Sequence, residues 1–139
     1  MNEKTPLKKS YVLDTSALLV LRADETGAER VEALLTRAKR KQCRLLASFM
    51  TRMELLYCIQ REEGADAARE ALRLIDSFAL DWVGCEPAIL GKASEIKSSG
   101  RISVADAWIA ATAGFYSSTL VHKDPEFAPL TYIPQEFLG

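Results

Sequence analysis

The sequence runs to 139 residues, 48% hydrophobic and 27% charged, with 18 Lys+Arg against 19 Asp+Glu. That size and balance imply one globular domain, residues 1–139, able to bury about two thirds of its surface without disulfides. A net charge of −1 excludes a broadly basic coat, so nucleic-acid contact must come from a local patch, and no apolar run, residues 55–59 included, approaches the ~20 residues of a spanning helix.

Residues 1–10 carry Lys4, Lys8 and Lys9, and Asp14 interrupts the apolar stretch that follows, so the start does not read as a signal peptide. Tyr11-Val12-Leu13 reads as a short buried strand ending at Asp14. Residues 16–22 read as a short helix. Ala28, Val31, Leu34, Leu35 and Ala38 recur at helical spacing and predict a helix over 28–41. A second strand is expected over 45–49, then a helix over 51–62 that Gly64 ends. Ala68, Ala71, Leu72, Ile75 and Phe78 form another helical stripe, and 80–83 is a candidate third strand. Pro87 suits the first turn of a helix reaching about 97. Val104, Ala107, Trp108, Ala111 and Phe115 mark a helix after Gly100. Thr119-Leu120-Val121 reads as a strand, and Thr131-Tyr132-Ile133 as a short edge strand. Strands alternating with helices imply an α/β fold with a mainly parallel sheet covered on both faces.

Cys43, Cys58 and Cys85 are odd in number and widely spaced. They fit neither a zinc ribbon, a C-x-x-C motif nor a secreted disulfide framework, and read as cytosolic thiols that place the chain in the cytoplasm.

In open parallel sheets, ligands bind beyond the carboxyl ends of the strands. Asp14 ends the first strand, and Asp124 follows a later one. Glu54 and Asp106 fall in the first turns of two helices. Each acid also has a purely structural reading. Thr51-x-x-Glu54 is a capping-box pattern and Ser103-x-x-Asp106 a variant. Asp14 suits the cap of the helix after it, and Asp124-Pro125 suits a turn. The topology, however, brings all four toward one edge. Two carboxylates ~4 Å apart repel by about 4 kcal/mol at an effective dielectric near 20, so such a cluster needs protons or a cation. All-oxygen ligands suit Mg²⁺ or Mn²⁺, and no Cys/His set competes as a zinc site.

Tyr11-Val12-Leu13-Asp14-Thr15-Ser16-Ala17-Leu18-Leu19, Thr51-Arg52-Met53-Glu54-Leu55-Leu56 and Ser103-Val104-Ala105-Asp106-Ala107-Trp108-Ile109-Ala110-Ala111-Thr112-Ala113 resemble the three acidic motifs of PIN-domain nucleases. Leu120-Val121-His122-Lys123-Asp124-Pro125-Glu126-Phe127 resembles the fourth. Order and length match the compact VapC-type toxins, with the least motif support between Gly64 and Glu86. The chain departs from the pattern at His122 and Lys123, where many members carry a small hydroxyl residue.

The resemblance implies a three-layer α/β/α, PIN-like fold and an endoribonuclease dependent on Mg²⁺ or Mn²⁺. By the same analogy Asp14, Glu54, Asp106 and Asp124 are the metal-binding and catalytic acids. Ser16 is the hydroxyl that supports a ligand or the metal's water, though it also suits the N-cap of its own helix. A bound cation would acidify a water to attack the phosphodiester, leaving a 5′-phosphate and a 3′-hydroxyl. Four carboxylates suffice for one ion or two. Expected partners are RNA, a second copy of the chain and an antitoxin protein. Leu56, Tyr57 and Trp82 are candidate dimer contacts, with packing inside the monomer as their alternative. A PIN-type RNA-processing nuclease outside any toxin pair fits the same motifs. A phosphatase is a weaker alternative: Leu13-Asp14-Thr15-Ser16 resembles the haloacid-dehalogenase nucleophile loop, but Ser16 stands where that loop needs a second Asp.

Arg37, Lys39, Arg40, Lys41 and Arg44 suit a helix end, where cations complement the dipole, slightly better than an RNA contact. Arg52 and Arg101, close in sequence to site acids, are better candidates for phosphate, with salt bridging as their alternative. His122 suits a phosphate contact, proton transfer or packing. Trp108 reads as core, and Trp82 as core or interface.

Overall fold

The computed structural model describes residues 8–139, so Lys4 of the leader reading lies outside the described residues. The chain alternates strand and helix. Its elements begin β1 (Ser10–Leu13), α1 (Thr15–Ala23), α2 (Ala28–Lys39), β2 (Arg44–Ser48), α3 (Phe49–Glu63) and α4 (Ala65–Ile75). They continue β3 (Asp81–Val83), α5 (Pro87–Ser99), α6 (Val104–Phe115), β4 (Thr119–His122) and β5 (Gln135–Phe137). A 3-10 turn, Pro125–Phe127, lies between the last two strands.

The strands form one sheet in the order β3-β2-β1-β4-β5, and every pairing is parallel. Successive residues of a strand face opposite sides, and here both sides are buried. Tyr11, Leu13, Leu45 and Ala47 pack with Leu18, Val31, Leu34, Leu55, Leu72 and Ile75 of α1–α4. Val12, Leu46 and Leu120 pack with Ile89, Ala93 and Ile96 of α5 and Ala107, Ile109 and Ala110 of α6. The result is the expected three-layer α/β/α arrangement. From β1 the chain moves outward through β2 and β3, then returns to the other side of β1 for β4 and β5. The carboxyl end of β1 is therefore the switch point, where a crevice opens between diverging connections.

Three predicted boundaries move for identifiable reasons. The helix expected over 28–41 stops at Lys39, and Lys41 turns the chain with a φ of 60°. The helix expected to begin at residue 51 begins at Phe49, because the buried Ser48 hydroxyl accepts from the Met50 amide and caps it. The edge strand expected at Thr131-Tyr132-Ile133 is a turn. Pro129 and Pro134 bracket it, and the Thr131 and Ile133 amides donate to the Pro129 and Leu130 carbonyls. Pairing with β4 starts only when Leu120 N–H donates to the Pro134 carbonyl, so the edge strand is β5.

Gly27, which leads into α2, has φ 104° and abuts the C-terminal Leu138. A Cβ there would sit 2.8 Å from Leu138 Cβ and 2.9 Å from its carbonyl oxygen. Gly27→Ala is expected to lower the unfolding free energy by about 1–3 kcal/mol, through backbone strain and overpacking together. Urea denaturation reads this directly, and an unchanged midpoint would contradict it.

Candidate metal centre

Asp14 is the first residue beyond β1, and its amide still donates to Val121 of β4. Its carboxylate caps α1. Oδ2 accepts from the Ser16 amide at 3.0 Å and the Ser16 hydroxyl at 2.5 Å. Ser16 Oγ in turn accepts from the Lys123 amide at 2.8 Å, tying the start of α1 to the turn after β4. Ser16 is thus not the N-cap of its own helix; α1 begins at Thr15, and Asp14, with an extended backbone, takes that place by accepting from the Ser16 amide. Asp14 is 2% exposed, and its Oδ1 is buried with no hydrogen-bond partner among the described residues.

Glu54 lies in the second turn of α3, one turn later than expected, since the cap is Ser48. The Thr51-x-x-Glu54 pattern is therefore not a capping box. Glu54 Oε1 accepts instead from the Thr15 hydroxyl of α1 at 2.6 Å, and the Thr51 hydroxyl lies 3.3 Å from that same oxygen of Thr15. Asp106 stands in the first turn of α6, where Ser103 caps the helix by accepting the Asp106 amide at 3.1 Å. Asp124 caps the 3-10 turn, its Oδ1 accepting from the Glu126 amide at 2.9 Å.

The fold brings Asp14, Glu54 and Asp106 together: one carboxylate oxygen from each lies within 4.8 Å of the others. Asp124 does not join that trio directly. It forms a second one with Asp106 and Glu126, again within 4.8 Å, so Asp106 belongs to both. Sequence reasoning missed Glu126 and Thr15. Glu126 Oε1 accepts from the Ser103 amide at 2.7 Å and clasps the start of α6 to the β4 turn. Its signal was an acid two residues beyond Asp124; for Thr15 it was only a hydroxyl between two site residues.

The electrostatics follow from burial. Asp14 is pushed up to about 6, chiefly by loss of water and further by Glu54, against the opposing pull of Ser16. Asp106 is pushed up to about 8 by burial first, then by Asp14, Glu126 and Asp124. Octahedral Mg²⁺ or Mn²⁺ at ~2.1 Å sets its ligand oxygens at most ~4.2 Å apart, and the first trio lies within 4.8 Å. Hard oxygen donors, excess negative charge and an orphaned buried oxygen all fit a divalent cation.

Lys123 lies on the turn beside Asp124, its amide on Ser16 Oγ and its Nζ 3.3 Å from the Thr26 carbonyl. Arg37 and Lys39 end α2 and Arg44 starts β2, at the amino end of the sheet away from the acids, as the helix-end reading expects. Arg52 pairs with Asp76 at 2.5 Å and stacks 4.4 Å from the Trp82 ring, so it is a salt-bridge partner and not a free phosphate contact. Arg101 is exposed. Trp108 is half-buried, edge-on to Phe49 at 5.0 Å. His122 is buried. Leu56 and Tyr57 are exposed on α3, while Trp82 lies partly buried beneath Arg52. Among the described residues no helix is long and apolar enough to cross a membrane.

A family model described as PIN domain matches residues 11–130. No curated protein matches the chain in sequence. Among solved structures, VapBC2 from Rickettsia felis bound to a promoter DNA fragment is similar at TM-score 0.74 and 18% identity, covering 94% of this chain and 99% of that one. VapBC-1 from nontypeable Haemophilus influenzae is similar at TM-score 0.71 and 23% identity, covering 93% and 98%. VapC20 from Mycobacterium tuberculosis, a toxin that cleaves the sarcin–ricin loop, is similar at TM-score 0.67 and 17% identity, covering 86% and 94%. At these identities the likeness is one of fold.

The raised carboxyls set the pH behaviour of the metal-free protein. Asp14 and Asp106 hold protons when folded at pH values where the unfolded chain has released them. Their contribution to stability is therefore whole below about pH 4 and is lost as pH rises through about 6 and then about 8. Melting temperature without metal is expected to fall between pH 5 and pH 8, on the order of the pKa window those groups span. Asp106→Asn should flatten the slope and raise stability at pH 8 by roughly 1–3 kcal/mol, because like-charge repulsion is removed. Binding of Mn²⁺ at pH 7 should release protons, read by calorimetry in buffers of different ionisation enthalpy. A flat melting profile and proton-free binding would contradict the assignment.

Proposed function

The chain belongs to the PIN domain family, and on that premise we propose that it is a divalent-metal-dependent endoribonuclease, the toxin of a toxin–antitoxin pair acting in the cytoplasm. The observation that carries the reading is Asp14, a carboxylate with one oxygen buried and without a partner among the described residues, at the switch point of the sheet beside two further carboxylates. A cation is the partner that such a group lacks.

In this reading residues 1–139 form a single nuclease domain. Asp14, Glu54 and Asp106 hold Mg²⁺ or Mn²⁺, and Asp124 contributes through the second trio. When bound, the cation acidifies the attacking water and neutralises charge growing on the phosphoryl oxygens. The chain's own residues position the acids. Ser16 engages Asp14 Oδ2 and leaves Oδ1 for the ion. Thr15 holds Glu54. Ser103, clasped by Glu126, fixes the first turn of α6 and with it Asp106. A centre this acidic repels a phosphodiester until a cation is present, so productive RNA binding is coupled to metal binding.

The VapBC pairing of the structural relatives supports an antitoxin partner. An acidic crevice suits an inhibitor that inserts an Arg, whose guanidinium pairs bidentately with two carboxylates in place of the metal. The exposed Met53, Leu56 and Tyr57 face of α3 supports a homodimer; Trp82 is partly buried and stacked by Arg52.

RNA cleavage is expected with Mg²⁺ or Mn²⁺ and not in EDTA. Asp14→Asn and Asp106→Asn should fold and lose activity about 10²-fold or more, several kcal/mol of Lewis-acid stabilisation. Cleavage that survives EDTA overturns the metal reading. A nuclease left fully active by the product of a neighbouring small gene is a free-standing RNA-processing enzyme and not a toxin. A 15.4 kDa species in sedimentation at about micromolar concentration refutes the dimer.

A further inference from the structure

The chain's one histidine is engaged on both ring nitrogens. His122 ends β4, is 2% exposed, and packs against Phe127 and Phe137 at centroid distances of 4.9 and 5.6 Å. The backbone amide of Asp124 donates to its Nδ1 at 3.1 Å. An amide nitrogen only donates, so Nδ1 is an acceptor and the ring proton sits on Nε2. Nε2 faces Gln135 Oε1 of β5 at 2.9 Å. The orientation of that amide is fixed independently, since Gln135 Nε2 donates to the carbonyls of Phe127 and Leu130, each at 2.9 Å. Every polar atom of the pair is satisfied, and neither nitrogen is left for a phosphate or a travelling proton.

We infer that His122 is a positioning residue for Asp124, closing the turn that delivers this acid to Asp106. The inference rests on the metal reading above. The bond spans from a side chain to the amide two residues on, the same span as the local turns made by Asn, Asp, Ser and Thr. A ring nitrogen therefore does here what a small side-chain oxygen does elsewhere. It does more, because the far side of the ring is anchored to β5 through Gln135. The turn is also held elsewhere: Ser16 Oγ takes the Lys123 amide, Asp124 Oδ1 takes the Glu126 amide, Glu126 takes the Ser103 amide, and the Asp124 carbonyl takes the Phe127 amide at 3.3 Å. Of these holds, the His122 bond is the one that engages the Asp124 amide. It reaches the candidate centre without adding charge to it.

Two variants separate acceptor from filler. His122→Phe keeps a packed ring and removes the acceptor, and His122→Asn restores an acceptor within reach of the Asp124 amide. Calorimetric titration with Mn²⁺ alone should show affinity weakened about tenfold in His122→Phe, the scale of lost outer-shell support, and within about twofold of the parent in His122→Asn. Hydrogen exchange of the Asp124 amide, measured without metal, should speed in His122→Phe and not in His122→Asn. Gln135→Met, which frees Nε2 while leaving the ring, should weaken Mn²⁺ in the same direction and serves if His122→Phe fails to fold. Parent-like Mn²⁺ affinity in both His122→Phe and Gln135→Met overturns the inference, as does a folded His122→Asn impaired as much as His122→Phe. Failure of the parent protein to bind Mn²⁺ sinks the metal reading instead, and the exchange data still judge the turn.

Discussion

Asp14 sits at the carboxyl end of the central strand with one oxygen bound twice by Ser16 and the other without a partner among the described residues. Burying a carboxylate costs free energy unless its charge is neutralised, and neighbouring carboxylates raise that cost. Asp106, drawn into the same crevice by α6, bears the larger consequence and holds its proton further into the neutral range. Without an ion the region is a store of electrostatic strain. The rest of the fold keeps that strain in place.

What opposes it is arranged on the same edge of the sheet. Asp14, Ser48 and Ser103 cap α1, α3 and α6 with their side chains, and all three caps lie at or after the carboxyl ends of strands or beside them. Helix amino termini carry partial positive charge, which favours acids in or before their first turns. Asp14 and Asp106 both profit, so the dipoles offset part of the repulsion among the acids. The Ser16 hydroxyl donates to Asp14 and favours its charged form, and the Thr15 hydroxyl donates to Glu54 and holds it in place.

Formal cations contribute little at the centre. Arg22, Arg44 and Arg52 are tied to Glu63, Asp81 and Asp76, exposed pairs whose net worth is small. Arg30 joins α2 to β5 through Glu136. The carboxylates gathered there make the crevice locally acidic, and in the proposed reading a polyanionic substrate would meet them through a bound metal. The same acidity would attract a cationic inhibitor strongly.

The strand–helix alternation was legible in the sequence because hydrophobic periodicity is local: stripes such as Ala28-Val31-Leu34 and runs such as Tyr11-Val12-Leu13 need no distant partner to be read. The four acids were legible for the same reason, each standing just past a strand or in an early helical turn. The edge strand was not, since Thr131-Tyr132-Ile133 has the more strand-like composition while Gln135–Phe137 is the stretch that pairs with β4. Thr51-x-x-Glu54 was misread because Ser48, at the end of β2, claims the cap. Thr15 and Glu126 were missed because their bonds reach 39 and 23 residues along the chain, to Glu54 and Ser103. By itself the sequence determined which groups exist and the order in which strands and helices follow one another. Only the tertiary structure decided which carboxylates meet and which oxygen loses both water and partner, because desolvation belongs to an assembled crevice and to no single segment.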